Sequence, residues 1–362
     1  MGSESELIQK RQEVKAEILA LKERIPLARI FNQLGKAFQP NSPGYWLSSV
    51  IFLNLILLSP WALIGLALGE IQKGVPFFAG GILGTEGPIL VSVLAHLAVQ
   101  NILGDLANRV IDNISGVNDL SKILLWLRQS WSLQNVSAIT LPFYLAWIIL
   151  GVSAVSIPYH QFAGFGFSLT VVLVGLLVGI IAHIYIWTCL LISNLKVYQY
   201  DMNTFSPADS EIINDISEVL TKALYLLASA GALFTLLAAS SLIDQQSRAI
   251  LSFPFLASTW TIIIIQFLLT RSTLGAITNR AKWKTLNRIR EKINALESTG
   301  DLSDKDTAER LFRLADIHKQ IMASKTNTLD LKSVSTLFSQ LMLPLLGLLL
   351  GNLDKVLKLF SK

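Results

Sequence analysis

Apolar and polar positions along this chain fall into long blocks with helical spacing. About 20 apolar residues cover some 30 Å of hydrocarbon, so the longest blocks predict membrane-crossing helices. Trp46 to Gly69, Val136 to Ile157, Phe167 to Ser193 and Ala249 to Thr270 qualify directly. Lys222 to Ile243 adds a fifth, continuing a helix that starts in water at Ser206, where Pro207 and Asp209 give the Ser-Pro-x-Asp spacing of a capping box. Pro88 to Gly104 is apolar but interrupted by His96, Gln100 and Asn101, and charge decides it. Without this span the amino terminus and the Lys/Arg-rich region after Thr270 would lie on opposite sides, against the positive-inside rule. The pattern therefore predicts six spans with both termini cytoplasmic.

Shorter periodic segments predict amphipathic helices in water. Leu7, Val14 and Leu21 recur at sevens, with Ile18 and Ile25 on the same stripe, in a helix ending near Pro26. Leu286, Ile289, Ile293 and Leu296 follow a three-four-three spacing, the seam of a coiled coil. Ser303 and Asp306 then signal a new helix whose Leu311, Leu314, Ile317 and Ile321 share a face, so the two form a hairpin. These three helices have similar length and are expected to pack into a stalk beneath the bilayer. A further piece, with Leu120, Ile123, Leu124, Leu127 and Trp131 opposite Lys122 and Arg128, is expected to lie on the inner leaflet. The apolar run Leu337 to Leu353 is interrupted by Pro344 and ends in Asp354, Lys355 and Lys358, which predicts an interfacial, re-entrant or protein-packed helix; the alternative is a seventh span.

The resulting organisation is all-α: a cytoplasmic amphipathic segment over 1–45, a six-helix membrane domain over 46–270, a cytoplasmic helical hairpin over 271–329 and an apolar carboxyl-terminal helix over 330–362. Composition agrees with the class, since 52% of residues are hydrophobic and only 15% charged, against about 25% charged in soluble domains. The first 45 residues mix Lys10, Arg11, Lys15, Lys22, Arg24, Arg29 and Lys36 with acids and carry no early apolar run, so no cleavable leader is expected. Of 30 Lys and Arg, only Lys73 and Arg248 fall in the predicted outer loops Glu70 to Gly87, Pro158 to Gly166 and Asp244 to Arg248. That asymmetry accounts for the net charge of +5 and removes the reason to invoke nucleic acid.

Candidate chemistry is sparse. A single cysteine, Cys189, excludes an intramolecular disulfide and any multi-cysteine metal site. His96 and His183 are the ionisable residues inside the predicted spans, and with Gln100 and Asn101 they are candidates for a polar pathway; the competing reading is of structural histidines satisfied by Gln100, Asn101 or a backbone carbonyl. No carboxylate falls deep in a span, which disfavours an ion-coupled carrier, and no zincin, nucleophile-elbow or Walker A motif is present. No catalytic residue, metal site or cofactor is predicted. Three pairs, Gly65 and Gly69, Gly175 and Gly179, and Gly347 and Gly351, have the spacing that lets helices approach closely. The glycines of 74–87 suggest a surface hairpin, with a re-entrant pore loop as the alternative.

A six-span count is shared with tetrameric cation channels, but no arginine ladder appears, no Thr-Val-Gly-Tyr-Gly filter follows the fifth span, and the fifth and sixth spans are joined too tightly for a pore domain. The sequence thus points to a non-enzymatic scaffold or sensor of the plasma (inner) membrane acting through its helical stalk. Self-association and a soluble cytoplasmic protein partner are expected. An oligomeric channel is the alternative, and a transporter ranks behind it.

Overall fold

A computed structural model of the chain describes residues 2–25, 28, 43–67, 76–156, 165–203, 206–239, 245–299, 305–323 and 331–352. Among these residues the regular structure is helical, apart from one isolated bridge between Ile114 and Tyr200. We number the α-helices α1 (Gly2–Arg24), α2 (Pro43–Ala67), α3 (Pro76–Asp105), α4 (Val117–Ser130), α5 (Leu133–Ser156), α6 (Phe165–Leu195), α7 (Glu211–Ala239), α8 (Gln245–Thr299), α9 (Lys305–Ala323) and α10 (Leu331–Gly351).

Four stretches of the described residues are long and apolar enough to cross a bilayer: Gly87–Asn113, Val172–Leu195, Glu211–Leu233 and a window within Leu256–Ser298. α4 and α5, bent by 48° at their junction, qualify as a fifth when taken together. Leu47–Leu57 and Val334–Leu350 are shorter apolar stretches. The exposed side chains on these helices fit lipid: Leu141, Phe143, Leu145 and Ile149 on α5, and Ile264, Ile265, Leu268 and Leu269 on α8.

α6 packs against α2, α3, α5 and α8, while α7 packs against α3, α8 and α10. Glycines set the closest approaches. A side chain at Gly179 would meet the Thr140 backbone on α5 at 2.7 Å, and one at Gly175 would meet Trp147 and Tyr144 at 3.0 Å. On α10, Gly347 lies directly against the Ala232 carbonyl of α7. These two sites place the Gly175 and Gly179 pair, and Gly347, within one chain. The packing around Gly65, Gly69 and Gly351 lies outside the described residues.

Several boundaries differ from those predicted. The glycine-rich stretch expected to be an outer loop is helical from Pro76 onward, and α3 continues through Pro88. Likewise α10 runs through Pro344. In an apolar layer every peptide group left unpaired is costly, so helix persists where the same residues would break it in water. α7 starts at Glu211, after a separate 3₁₀ turn at Pro207–Asp209. Ser206 meets the Asp209 side chain there, but its hydroxyl makes no capping bond to the helix. The predicted last span and the first hairpin helix are one helix, α8, whose 55 residues extend about 80 Å.

α10 lies along α7 in the same direction, because Ser339 meets Tyr225 at 3.0 Å and Gly347 meets Ala232. It also accepts a bond at the Leu341 carbonyl from the Trp260 indole of α8, at 2.9 Å. The described part of this segment thus packs against α7 and α8, while Val334, Phe338, Leu346 and Leu350 stay exposed.

The largest apolar core gathers at the polar ends of the helices. Val14, Ile18, Leu21 and Ile25 of the amino-terminal segment enter it with Ile102, Leu106 and Ile111, with Leu120, Ile123 and Leu127 of α4, and with Trp187, Leu191 and Leu195 of α6. α1 runs antiparallel to the end of α3: Gln100 donates to the Lys22 carbonyl at 2.8 Å, Lys15 pairs with Asp112 at 2.7 Å and Arg11 donates to the Ile114 carbonyl at 2.8 Å. Two expectations are corrected here. The apolar face of α4 is covered by protein rather than by lipid, with Leu120, Ile123 and Leu127 fully buried. The amino-terminal stripe is buried on α4 and the end of α3, not in a three-helix stalk with the hairpin.

The hairpin of α8 and α9 forms its own small core from Leu286, Ile289 and Ile321, with Ile293, Leu314 and Ile317 at its margin. Lys282 donates to the Met322 carbonyl at 2.8 Å, which places a cation on the carboxyl end of α9 and fixes the two helices as antiparallel.

Candidate functional site

Three polar arrangements surround the large core, and each is built from residues distant in sequence. The first is an elbow of aromatic rings at the α4–α5 bend. Trp131 stands edge-on to His183 at 4.9 Å between centroids and 5.5 Å from Trp187, which stacks on Trp126 at 6.1 Å. His183 is 1% exposed, and neither of its ring nitrogens has a hydrogen-bond partner among the described residues. It lies only about 6 Å along α6 from Gly179, which meets Thr140 near the start of α5. His183 thus sits towards the polar end of the helices, held by ring packing instead of the expected amide or carbonyl.

The other predicted pathway residues are not gathered around it. His96 is buried on α3 and has a partner. Gln100 spends its amide on α1. Asn101 is exposed and lines an apolar groove between α3 and α7 with Leu94, Leu97, Tyr225 and Lys222. Among the described residues no group of three or more His, Cys, Asp or Glu could hold a metal ion.

The second arrangement is an ion network that joins the end of α3 to α7. Lys222 pairs with Asp105 at 2.5 Å and with Glu218 at 3.0 Å. Arg109 reaches Glu218, as well as Asp215 at 3.7 Å and Asp105 at 3.8 Å. Arg109 belongs to a π-helical turn, Leu106–Val110, whose extra residue per turn swings it towards α7. Three acids and two bases are thereby matched where two helices leave the apolar layer.

The third arrangement is a cleft of about 200 Å³ between α8 and the link from α6 to α7. Its floor is the segment Tyr198–Asn203, which runs antiparallel to Asn113–Ser115: Ser115 N–H donates to the Gln199 carbonyl at 3.0 Å and Asp201 N–H to the Asn113 carbonyl at 2.9 Å. Asp119 accepts from Gln199 N–H at 2.9 Å, and the buried Tyr200 hydroxyl donates to the Leu195 carbonyl at 2.9 Å. Burial pushes the Tyr198 phenol up to about 12, with Asp119 adding to the effect, so this ring stays neutral at ordinary pH. The opposite wall is a row of cations on α8, Arg280, Lys284 and Arg288. Arg280 donates to the Val197 carbonyl and Lys284 to the Gln199 side-chain oxygen, both at 2.7 Å.

In the sequence these three cations belong to the Lys/Arg-rich region after Thr270 that sets the predicted topology. Their spacing of four residues was visible, but the segment facing them was not. The seam residues behave unevenly: Leu286 and Ile289 are buried in the hairpin, whereas Ile293 and Leu296 are only partly covered.

Compared with known proteins, this chain matches no family model, no curated protein and no solved structure.

Proposed function

We propose that this is a non-enzymatic scaffold or sensor of the plasma (inner) membrane, working through its helical cytoplasmic part. The observation that carries the reading is the continuity of α8, which passes without a break from an apolar window into the hairpin. A single rigid rod couples the two, so tilting in the bilayer moves the hairpin. The hairpin leaves Phe312 of α9 72% exposed. An apolar ring in that position suits contact with a second copy or a soluble protein.

The topology in this reading has six spans, α2, α3, α5, α6, α7 and the first part of α8, with α1 and the hairpin cytoplasmic. α10, parallel to α7, joins them as a seventh crossing, the alternative that the sequence left open. Gly351 lies four residues past Gly347, hence level with about Leu236 of α7, some 20 Å beyond Lys222. That depth supports an outer carboxyl end, against the expectation that both termini are cytoplasmic.

Reconstitution tests both parts. Purified protein in liposomes is expected to pass no ions above the protein-free level, and flux that His96 or His183 substitutions alter would favour the channel reading instead. In a Cys189→Ser background, Phe312→Cys is expected to crosslink between copies in native membranes, or to a soluble protein. Absence of both crosslinks would remove the scaffold reading. Ser361→Cys is expected to react with an impermeant reagent in intact cells, and Ser3→Cys is not; the reverse result would overturn the proposed orientation.

A further inference from the structure

The cation row on α8 is more than insertion bias requires. Positive charges beside a span are explained by topology wherever they point. Arg280, Lys284 and Arg288, however, are spaced at four and four, which stacks them on one face over about 12 Å, and like charges at that spacing repel. The face they share is turned to a built wall, the bridged segment Tyr198–Asn203. Among the described residues none of the three forms an ion pair: the partners of Arg280 and Lys284 are a carbonyl and an amide oxygen. Their charge is therefore oriented without being neutralised. Asp201 is the one carboxylate among the lining residues, and it is drawn towards Arg11 at 3.8 Å. Three cations against one acid leave the cleft at +2.

The contrast with the α3–α7 network is instructive. There, two cations meet three acids within 4 Å and the charge is spent internally. In the cleft the protein has fixed the backbone floor and aimed two of the cations with hydrogen bonds, and among the described residues no carboxylate pairs with any of the three. Ser115, Thr285 and Asn203 add hydroxyl and amide groups to the lining.

We propose that this cleft binds a phosphate monoester. A dianionic group matches a +2 site, its three terminal oxygens suit paired guanidinium and ammonium donors, and a phosphate monoester carries between −1.5 and −2 at neutral pH. At about 200 Å³ the cleft falls below the usual size of sites for drug-sized ligands, which fits a phosphate on a small polar stem. The same group is offered by a soluble metabolite or by a lipid such as phosphatidic acid. The inference does not depend on the scaffold reading.

The test uses the full chain in phosphatidylcholine nanodiscs, with glycerol 3-phosphate as the soluble probe and phosphatidic acid as the lipid one. Potassium chloride at matched ionic strength, or phosphatidylserine at matched charge, serves as control. Binding is read by calorimetry and by slowed hydrogen exchange over 197–203 and 277–288. Saturable binding of either probe beyond its control supports the proposal, and the probe that binds identifies the source. Arg288→Gln is expected to weaken binding about tenfold or more, the loss of one charge-assisted hydrogen bond. Asp201→Asn removes the opposing acid and is expected to tighten binding, a gain that misfolding cannot mimic. If neither probe binds beyond its control in the wild-type chain, or if Arg288→Gln in a folded protein binds as tightly as wild type, the proposal is wrong.

Discussion

The amino-terminal helix and the α8–α9 hairpin carry the same kind of sequence, apolar positions at threes and fours among charges, yet the fold treats them oppositely. α1 lays its stripe into the largest core of the molecule, where Val14, Ile18 and Leu21 are 0%, 0% and 1% exposed. The hairpin closes on itself around three buried side chains and leaves Ile293 and Leu296 partly open. α1 also ties itself down by charge, through Lys15 to Asp112 and Arg128 to Glu17 at 3.0 Å. The hairpin's anchor to its own base is Lys282. An amphipathic face says that something covers it; the amount of neighbouring apolar surface decides whether the helix becomes part of the core or an appendage.

Breaking α1 should therefore have the largest effect. Ile18→Asp places a charge where the surroundings are fully apolar, and even Ile18→Ala is expected to cost about 2 to 5 kcal/mol. Thermal unfolding of the detergent-solubilised protein should show loss of the folded species for Asp and a clear fall in midpoint for Ala. Unchanged unfolding would mean that α1 is not core. Changing Ile289 and Ile293 together to Asp should act locally, removing roughly 1.5 to 3 kcal/mol of burial at each site at most. Hydrogen exchange should accelerate across 284–322 and stay slow across 14–25 and 102–127. Acceleration in both regions would show that the two modules are one cooperative unit.

The contact of α10 with α7 is a smaller lever. Gly347→Leu inserts a side chain against the Ala232 carbonyl, and overpacking of this kind typically costs about 1 to 3 kcal/mol. A Tyr225→Cys, Ser339→Cys pair in a Cys189→Ser background should be joined by a short bifunctional thiol crosslinker that bridges the length of the lost tyrosine ring, and the added leucine should suppress this; equal crosslinking in both would argue against the close approach. The smallest effect is expected at His183. Phenylalanine keeps the edge contact on Trp131 and removes two ring nitrogens that have no partner among the described residues, so His183→Phe should stay within about 1 kcal/mol of wild type or exceed it. A large loss in unfolding midpoint would mean that those nitrogens have a partner worth finding.

Much of this is legible in the sequence. The length of an apolar run and its helical period follow from local chemistry, which is why α5, α6 and both hairpin helices were found close to their observed positions. Proline and glycine misled at Pro88, Pro344 and the 76–87 stretch, because their helix-breaking cost is set for water and falls in a layer with no competing hydrogen-bond partner. His183 looked like a polar residue in search of a hydrogen bond, since nothing along the chain brings Trp131 to its edge.

What the sequence determined by itself was the all-helical class, the apolar lengths and the faces that had to be covered, for these depend on each residue and its neighbours within a turn or two. What covers each face was decided by the tertiary structure alone. Apolar attraction is non-directional, so the stripe of α1 was equally suited to the hairpin, a leaflet or α4. Only the geometry of α3 and the turns that follow it, which present Gln100, Asp112 and the Ile114 carbonyl in antiparallel order, gave α1 hydrogen bonds as well as burial. The cleft has the same origin: the four-residue spacing of Arg280, Lys284 and Arg288 is a local fact, but the bridge between Ile114 and Tyr200 that turns a charged stripe into a site joins segments more than 80 residues apart.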